Sequence, residues 1–137
     1  MASLPVNIGY GTVEGRFLIA LADGTDGDLN PDGQAASGVI YFIPSLTVLK
    51  GVTAHPDPVT ILPATVECTL DDEGYLVGPD GNRGVRLVAT NDLDANPTGW
   101  TWKVQYRLTD SEGSPLGPIT TQEISVPEGQ TINLTGV

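Results

Sequence analysis

The chain has 137 residues and one cysteine, enough length for a single domain and too few thiols for an internal disulfide or a thiolate zinc site. Six Lys and Arg against 17 Asp and Glu leave a net charge of −11, which argues against nucleic acid, since that binding depends on cations neutralising phosphates. The same field repels anionic membranes, and neutral, cationic or protein partners remain.

The first residues, MASLPVNIGYG, lack the charged and apolar regions of a secretion signal, and no apolar run approaches the length that spans a bilayer. The chain therefore reads as one made in the cytoplasm and not inserted in a membrane. Residues 1–12, with Pro5, Gly9 and Gly11, read as an N-terminal arm that orders only on assembly, or as simple terminal disorder. Residues 13–137 read as one domain.

Phe17, Ile19 and Leu21 share one face of a predicted strand over 15–22, while Leu18 and Ala20 lie opposite, so apolar groups on both faces suit a central position. An acidic loop follows, opening at Asp23 and closing at Gly33. Within it Asp28, Asn30, Asp32 and Gly33 spell the start of a calcium loop, whose hard cation wants oxygen ligands at alternate positions. Val39 stands where a bidentate Glu belongs, Pro31 stiffens the middle, and strands flank the loop in place of helices. Turn chemistry is the better reading, and no metal ligand is assigned.

Through Ala35, Ala36 and Ser37 the chain enters a strand over 38–43, stopped by Pro44, which lacks a ladder donor. A looser stretch carries Leu46, Val48 and Leu49 to the His55-Pro56-Asp57-Pro58 turn, with a short strand over 59–62 beyond it. His55 reads as a solvated loop residue. Val66, Cys68 and Leu70 alternate with Glu67 and Thr69, which makes Cys68 a buried structural thiol. The strand over 64–70 returns through Asp71-Asp72-Glu73-Gly74 to Tyr75, Leu76 and Val77 as a hairpin. Asp71, Asp72 and Glu73 cluster as glycosidase carboxylates do, but adjacent turn residues splay apart instead of facing one another across a substrate.

Glycines between Gly78 and Gly84 resemble a nucleotide loop, yet no Lys-Ser or Lys-Thr follows and no helix is there to receive phosphate. Another strand is predicted over 85–90. Beyond the 91–99 loop, Trp100, Trp102, Val104, Tyr106 and Leu108 alternate with Thr101, Lys103, Gln105 and Arg107, the pattern of a half-buried strand. Both tryptophans fall on its inner face, and Trp100, Tyr106, Phe17 and Tyr41 are expected in the core. Strands over 119–126 and 131–134 complete the series. Asn133-Leu134-Thr135 spells a glycosylation acceptor, which has no meaning without a secretion route.

Seventeen Gly and 11 Pro spread evenly mark turns about every ten residues, and no segment shows a helical period. The pattern predicts an all-β antiparallel β-sandwich of about seven to nine strands, immunoglobulin-like or fibronectin-like, with a small barrel as the alternative. No catalytic or cofactor-binding residue is assigned and no cofactor is expected, because one histidine and one cysteine cannot supply a triad or a zinc hydrolase.

Several segments taken together carry a resemblance. They are the Asp-Gly loop over 23–33, Val-Ile-Tyr-Phe-Ile-Pro ending at Pro44, and Leu-Asp-Asp-Glu-Gly-Tyr-Leu over 70–76. Asn-Pro-Thr-Gly-Trp over 96–100 and the closing Pro127-Glu128-Gly129 complete the set. In this order, across about 13–137, the chain resembles the minor tail proteins and tail fibre N-terminal domains of actinobacteriophages (mycobacteriophage-like siphophages). The resemblance implies a non-enzymatic virion protein at the tail tip or fibre attachment, assembling with other tail proteins and supporting host adsorption. It also implies a homo-oligomer, with a trimer compatible. Ending at Val137, the chain is expected to lack the distal receptor-binding module of longer members. Two alternatives stand beside it: a capsid decoration or head-fibre protein, and a carbohydrate-binding module for host cell-wall glycans.

Overall fold

A computed structural model describes residues 8–20, 33–51, 58–110, 112–117 and 119–136. The described strands are β1 (Tyr10–Glu14), β2 (Leu18–Ala20), β3 (Gly33–Ala35), β4 (Ser37–Pro44), β5 (Leu49–Gly51) and β6 (Val59–Ile61). They continue with β7 (Val66–Leu70), β8 (Leu76–Val77), β9 (Val85–Val88), β10 (Trp102–Thr109), β11 (Gln122–Ile124) and β12 (Thr131–Asn133). A 3-10 turn, Leu134–Gly136, follows β12.

The larger sheet has the order β11-β10-β4-β7-β8 and the smaller β12-β1-β9, with ribbons β2-β3 and β5-β6 beside them. All named strand pairs are antiparallel except β1 with β12. The protein is thus all-β and sandwich-like.

The frame is the β4–β10 pair, which holds register over eight residues from Trp102 opposite Pro44 to Thr109 opposite Ser37. Alternation sends Ile40, Phe42, Trp102, Val104 and Leu108 inward. There they meet Val13, Val85 and Leu87 of the smaller sheet in one continuous core. Ile40, Phe42, Val104 and Val13 are entirely buried, and each contributes roughly 1.5–3 kcal/mol by leaving water. The Trp102 indole Nε1 donates to the Val88 carbonyl at 3.1 Å, so the largest inward side chain also ties one sheet to the other.

The sheets are joined at their margins as well. After β1 the chain crosses to the other sheet: Phe17 N donates to the Gly74 carbonyl, and Leu76 N donates to the Gly15 carbonyl, covering the outer side of β8. At the opposite margin Thr90 N donates to the Val126 carbonyl, and Val126 N returns to the Thr90 hydroxyl.

Several expectations need correction. The strand predicted over 15–22 is not central: β2 pairs with β3 alone, and Leu18 is 55% exposed. The described part of the predicted arm is built into the fold. Ile8 is buried, Gly9 N donates to the Asp92 carboxylate, and β1 lies between β9 and β12. Residues 1–7 lie outside the described residues. Among the described residues there are twelve strands where seven to nine are predicted; β1, β3 and β5 are the additions, short segments without a clear alternation. Tyr41 is not in the core; it stands on the outer face of β4 with the Arg107 guanidinium 5.8 Å from its ring centre. Trp100 is buried, whereas Phe17 and Tyr106 are half-buried against the core with their rings 5.8 Å apart.

Gly38 adopts φ 120°, and a Cβ there would lie 2.3 Å from the Arg107 carbonyl oxygen and 2.8 Å from the Leu108 Cα. Both obstacles are backbone of the partner strand. Gly38→Ala is therefore expected to destabilise the fold by about 2 kcal/mol or more, read as a lower urea midpoint with unchanged slope. An unchanged midpoint contradicts the tight β4–β10 register.

Candidate functional site

Hairpin β7–β8 turns at residues 71–74 because Asp71 satisfies the turn and Gly74 supplies the left-handed residue. Asp71 Oδ1 accepts the N–H groups of Glu73 and Tyr75, each at 2.9 Å, and Gly74 sits at φ 86°. The other oxygen, Oδ2, accepts Arg83 Nε at 2.8 Å, while Glu73 takes the same guanidinium at 3.2 Å. Thus the acidic trio does not form a facing pair. Asp71 is the hub of a turn, and Asp72 and Glu73 are exposed beside it.

This network gathers cations that sequence reasoning left scattered. Arg83 lies 3.9 Å and Arg16 4.8 Å from the centre of the Tyr75 ring, and Arg86 lies 5.0 Å from that of Tyr10 while donating to its hydroxyl. Three of the six basic residues therefore sit against two tyrosines, Arg16 and Arg83 at Tyr75 and Arg86 at Tyr10. Between β9 and the turn at 78–82 runs an open cleft of about 730 Å³, lined by Thr12, Val66, Asp80, Asn82, Arg83 and Arg86 among others. The glycine-rich stretch over 78–84 is one wall of this cleft, a turn in which Gly81 N donates to the Gly78 carbonyl.

Arg83, which lines the cleft, is held from outside it by ion pairs with Asp71 and Glu73. Desolvation is the strongest single influence on Asp71 and pushes its carboxyl up. The hydrogen bonds from Arg83, Tyr75 N and Glu73 N together outweigh it and hold the group below its ordinary value of 3.8. Asp80 is likewise lowered, first by the Asn82 backbone N–H and then by the Asn82 side chain, with Arg86 adding to the effect. Both carboxyls are thereby favoured in the ionised form.

Cys68 lies under β7 at 1% exposure, and burial, with Asp80 and Glu67 adding, pushes its thiol up to about 12. It is a packing residue, unreactive as a thiolate nucleophile. The calcium-loop positions Asp28, Asn30 and Asp32 lie outside the described residues, as does His55; Gly33 opens β3. Among the described residues no three His, Cys, Asp or Glu side chains gather to hold a metal. Asn133 is on β12, where its Oδ1 accepts the Thr135 N–H.

Asp92 was missed by sequence reasoning. It is buried, with Oδ2 accepting Gly9 N at 2.6 Å and Oδ1 accepting Asp94 N at 2.9 Å, and it pins the entry to β1. The spacing of Asp92 and Asp94 after a strand signals a turn, but its partner lies 83 positions away and leaves no local trace.

Comparison with protein-family models, with curated proteins and with solved structures found no match to this chain.

A carboxyl whose folded pKa is depressed contributes stability above its unfolded value and loses it as pH falls through the folded value. The Asp71 pair should therefore hold at neutral pH and release only below pH 3.8. An NMR titration of the side-chain carboxyl is expected to give a midpoint under 3.8, with Arg83→Ala moving it back up. A midpoint at or above 3.8 in the unaltered protein contradicts the assignment.

Proposed function

We propose that this protein is a non-enzymatic structural component of a bacteriophage virion, a minor tail protein at the tail tip or fibre attachment. It acts through protein–protein contacts with other tail proteins and with copies of itself. The order of segments from the Asp-Gly loop to Pro127-Glu128-Gly129 is what suggests this role. The structural observation that supports it best is the use of the aromatic residues. Trp102 is 2% exposed and hydrogen-bonded between the sheets, and Trp100 packs 5.3 Å from it. Rings placed this way stiffen a block and leave its loops, edges and turns as contact surfaces.

The same burial speaks against a carbohydrate-binding module built on tryptophan, because sugar stacking needs open ring faces. Capsid decoration or a head fibre uses an equally rigid block, and only position in the virion separates it from the tail.

Mass spectrometry of purified virions with immunogold labelling tests the proposal. The expected result is the protein among virion components with gold at the distal end of the tail. Absence from virions, or label over the capsid, overturns it.

A further inference from the structure

β12 is the outer strand of the smaller sheet, and among the described residues no strand, charge or proline guards its edge. Thr12 N donates to the Gln130 carbonyl at 2.9 Å, so Gln130 and Ile132 turn their backbone groups toward β1. In a parallel ladder Thr131 and Asn133 then turn theirs outward; no described strand pairs with them, and the Asn133 carbonyl, which caps the 3-10 turn over Leu134–Gly136, keeps a second lone pair for a further donor. Natural sheets protect such edges with charge, proline, bulges or a covering segment. The other edges of the two main sheets follow that rule. β8 is covered by residues 15–17, β9 carries Arg86 and gives its Val88 carbonyl to the Trp102 indole, and β11 carries Glu123. Residues 129–136 carry no charge at all in a chain of net charge −11. Two copies can therefore meet at β12 with little like-charge opposition at the contact itself.

The edge also fits itself. We propose that β12 pairs antiparallel with β12 of a second copy about a two-fold axis at Ile132, joining two three-stranded sheets into one. Thr131 then faces Asn133 of the second copy, and Asn133 faces its Thr131, each pair exchanging two backbone N–H to carbonyl bonds. Ile132 faces Ile132 of the second copy at a non-hydrogen-bonded position, with Cα atoms about 4.5 Å apart. The axis makes the contact isologous and closed, so pairing stops at two copies. The contact is smaller than the roughly 1,200 Å² of a stable standard interface, so the pairing is concentration-dependent and is reinforced where an assembly holds copies together. This deepens the assembly role proposed above and rests on that reading only for the place where the copies meet.

Site-specific cross-linking tests the register. Under mild oxidation Ile132→Cys is expected to form a disulfide dimer at least roughly tenfold faster than Thr131→Cys, whose equivalent in the second copy lies off the axis. Cys68, buried at 1% exposure, supplies no competing thiol. In parallel, sedimentation equilibrium on the unaltered chain is expected to show monomers giving way to dimers as concentration approaches about 1 mM. Thr131→Pro removes an outward N–H without breaking a bond to β1, and is expected to abolish the dimer with Tm unchanged. A unaltered chain that stays monomeric to about 1 mM, a trimer, or equal cross-linking of the two cysteine variants overturns the proposal. A dimer found for a protein absent from the tail overturns only the virion role, whereas a tail protein that never dimerises overturns only the edge.

Discussion

The hydrogen bond from the Trp102 indole to the Val88 carbonyl is the constraint on which the other features depend. It crosses from the β10 strand to the edge of the smaller sheet, joining a buried indole to the carbonyl of the half-buried Val88. A buried indole without a partner costs free energy, and a carbonyl at a strand edge otherwise needs water; each satisfies the other. Because β10 is locked to β4 over eight residues, fixing Trp102 fixes the whole larger sheet against β9 and β1. The fully buried Val13, Ile40, Phe42 and Val104 then pack into the space that this spacing sets.

Fixing the sheets determines what remains on the surface. The crossing of the chain at Gly15 brings Arg16 beside Tyr75, and the hairpin turn brings Arg83 to the same ring. Arg16, Arg83 and Arg86, half the cations of an acidic protein, are held in ion pairs or over aromatic rings instead of forming a basic patch. β12 is left at the far side of the smaller sheet, uncharged and with outward backbone groups. A sheet edge of this kind suits a unit for assembly, and it is where the proposed role and the geometry meet.

Much of this was legible in the chain. The alternation from Trp102 to Leu108 and the sequence Val39 to Pro44 predicted the two longest strands, because period-two patterning is strong where one face is buried. Asp71 to Gly74 predicted its hairpin through turn chemistry alone. What escaped did so for physical reasons. In β1 the inward residues are Gly11 and Val13, so half of the buried face carries no side chain and the pattern disappears. Leu18 and Tyr41 are apolar or aromatic yet point outward, since their strands lie in a ribbon or bear an outer face that composition does not reveal. The cleft combines Thr12, Val66 and the 78–86 stretch, and such joins depend on long-range register. The bond from Gly9 to Asp92 is the same kind of case.

The most direct test is the environment of the two tryptophans in the folded protein. Intrinsic fluorescence should be shifted to short wavelength, resist quenching by iodide and acrylamide, and move to the solvated spectrum in one transition as urea unfolds the chain. Native emission already at the solvated wavelength, with quenching equal to that of the unfolded chain, would contradict an interior in which indole rings lock the two sheets together.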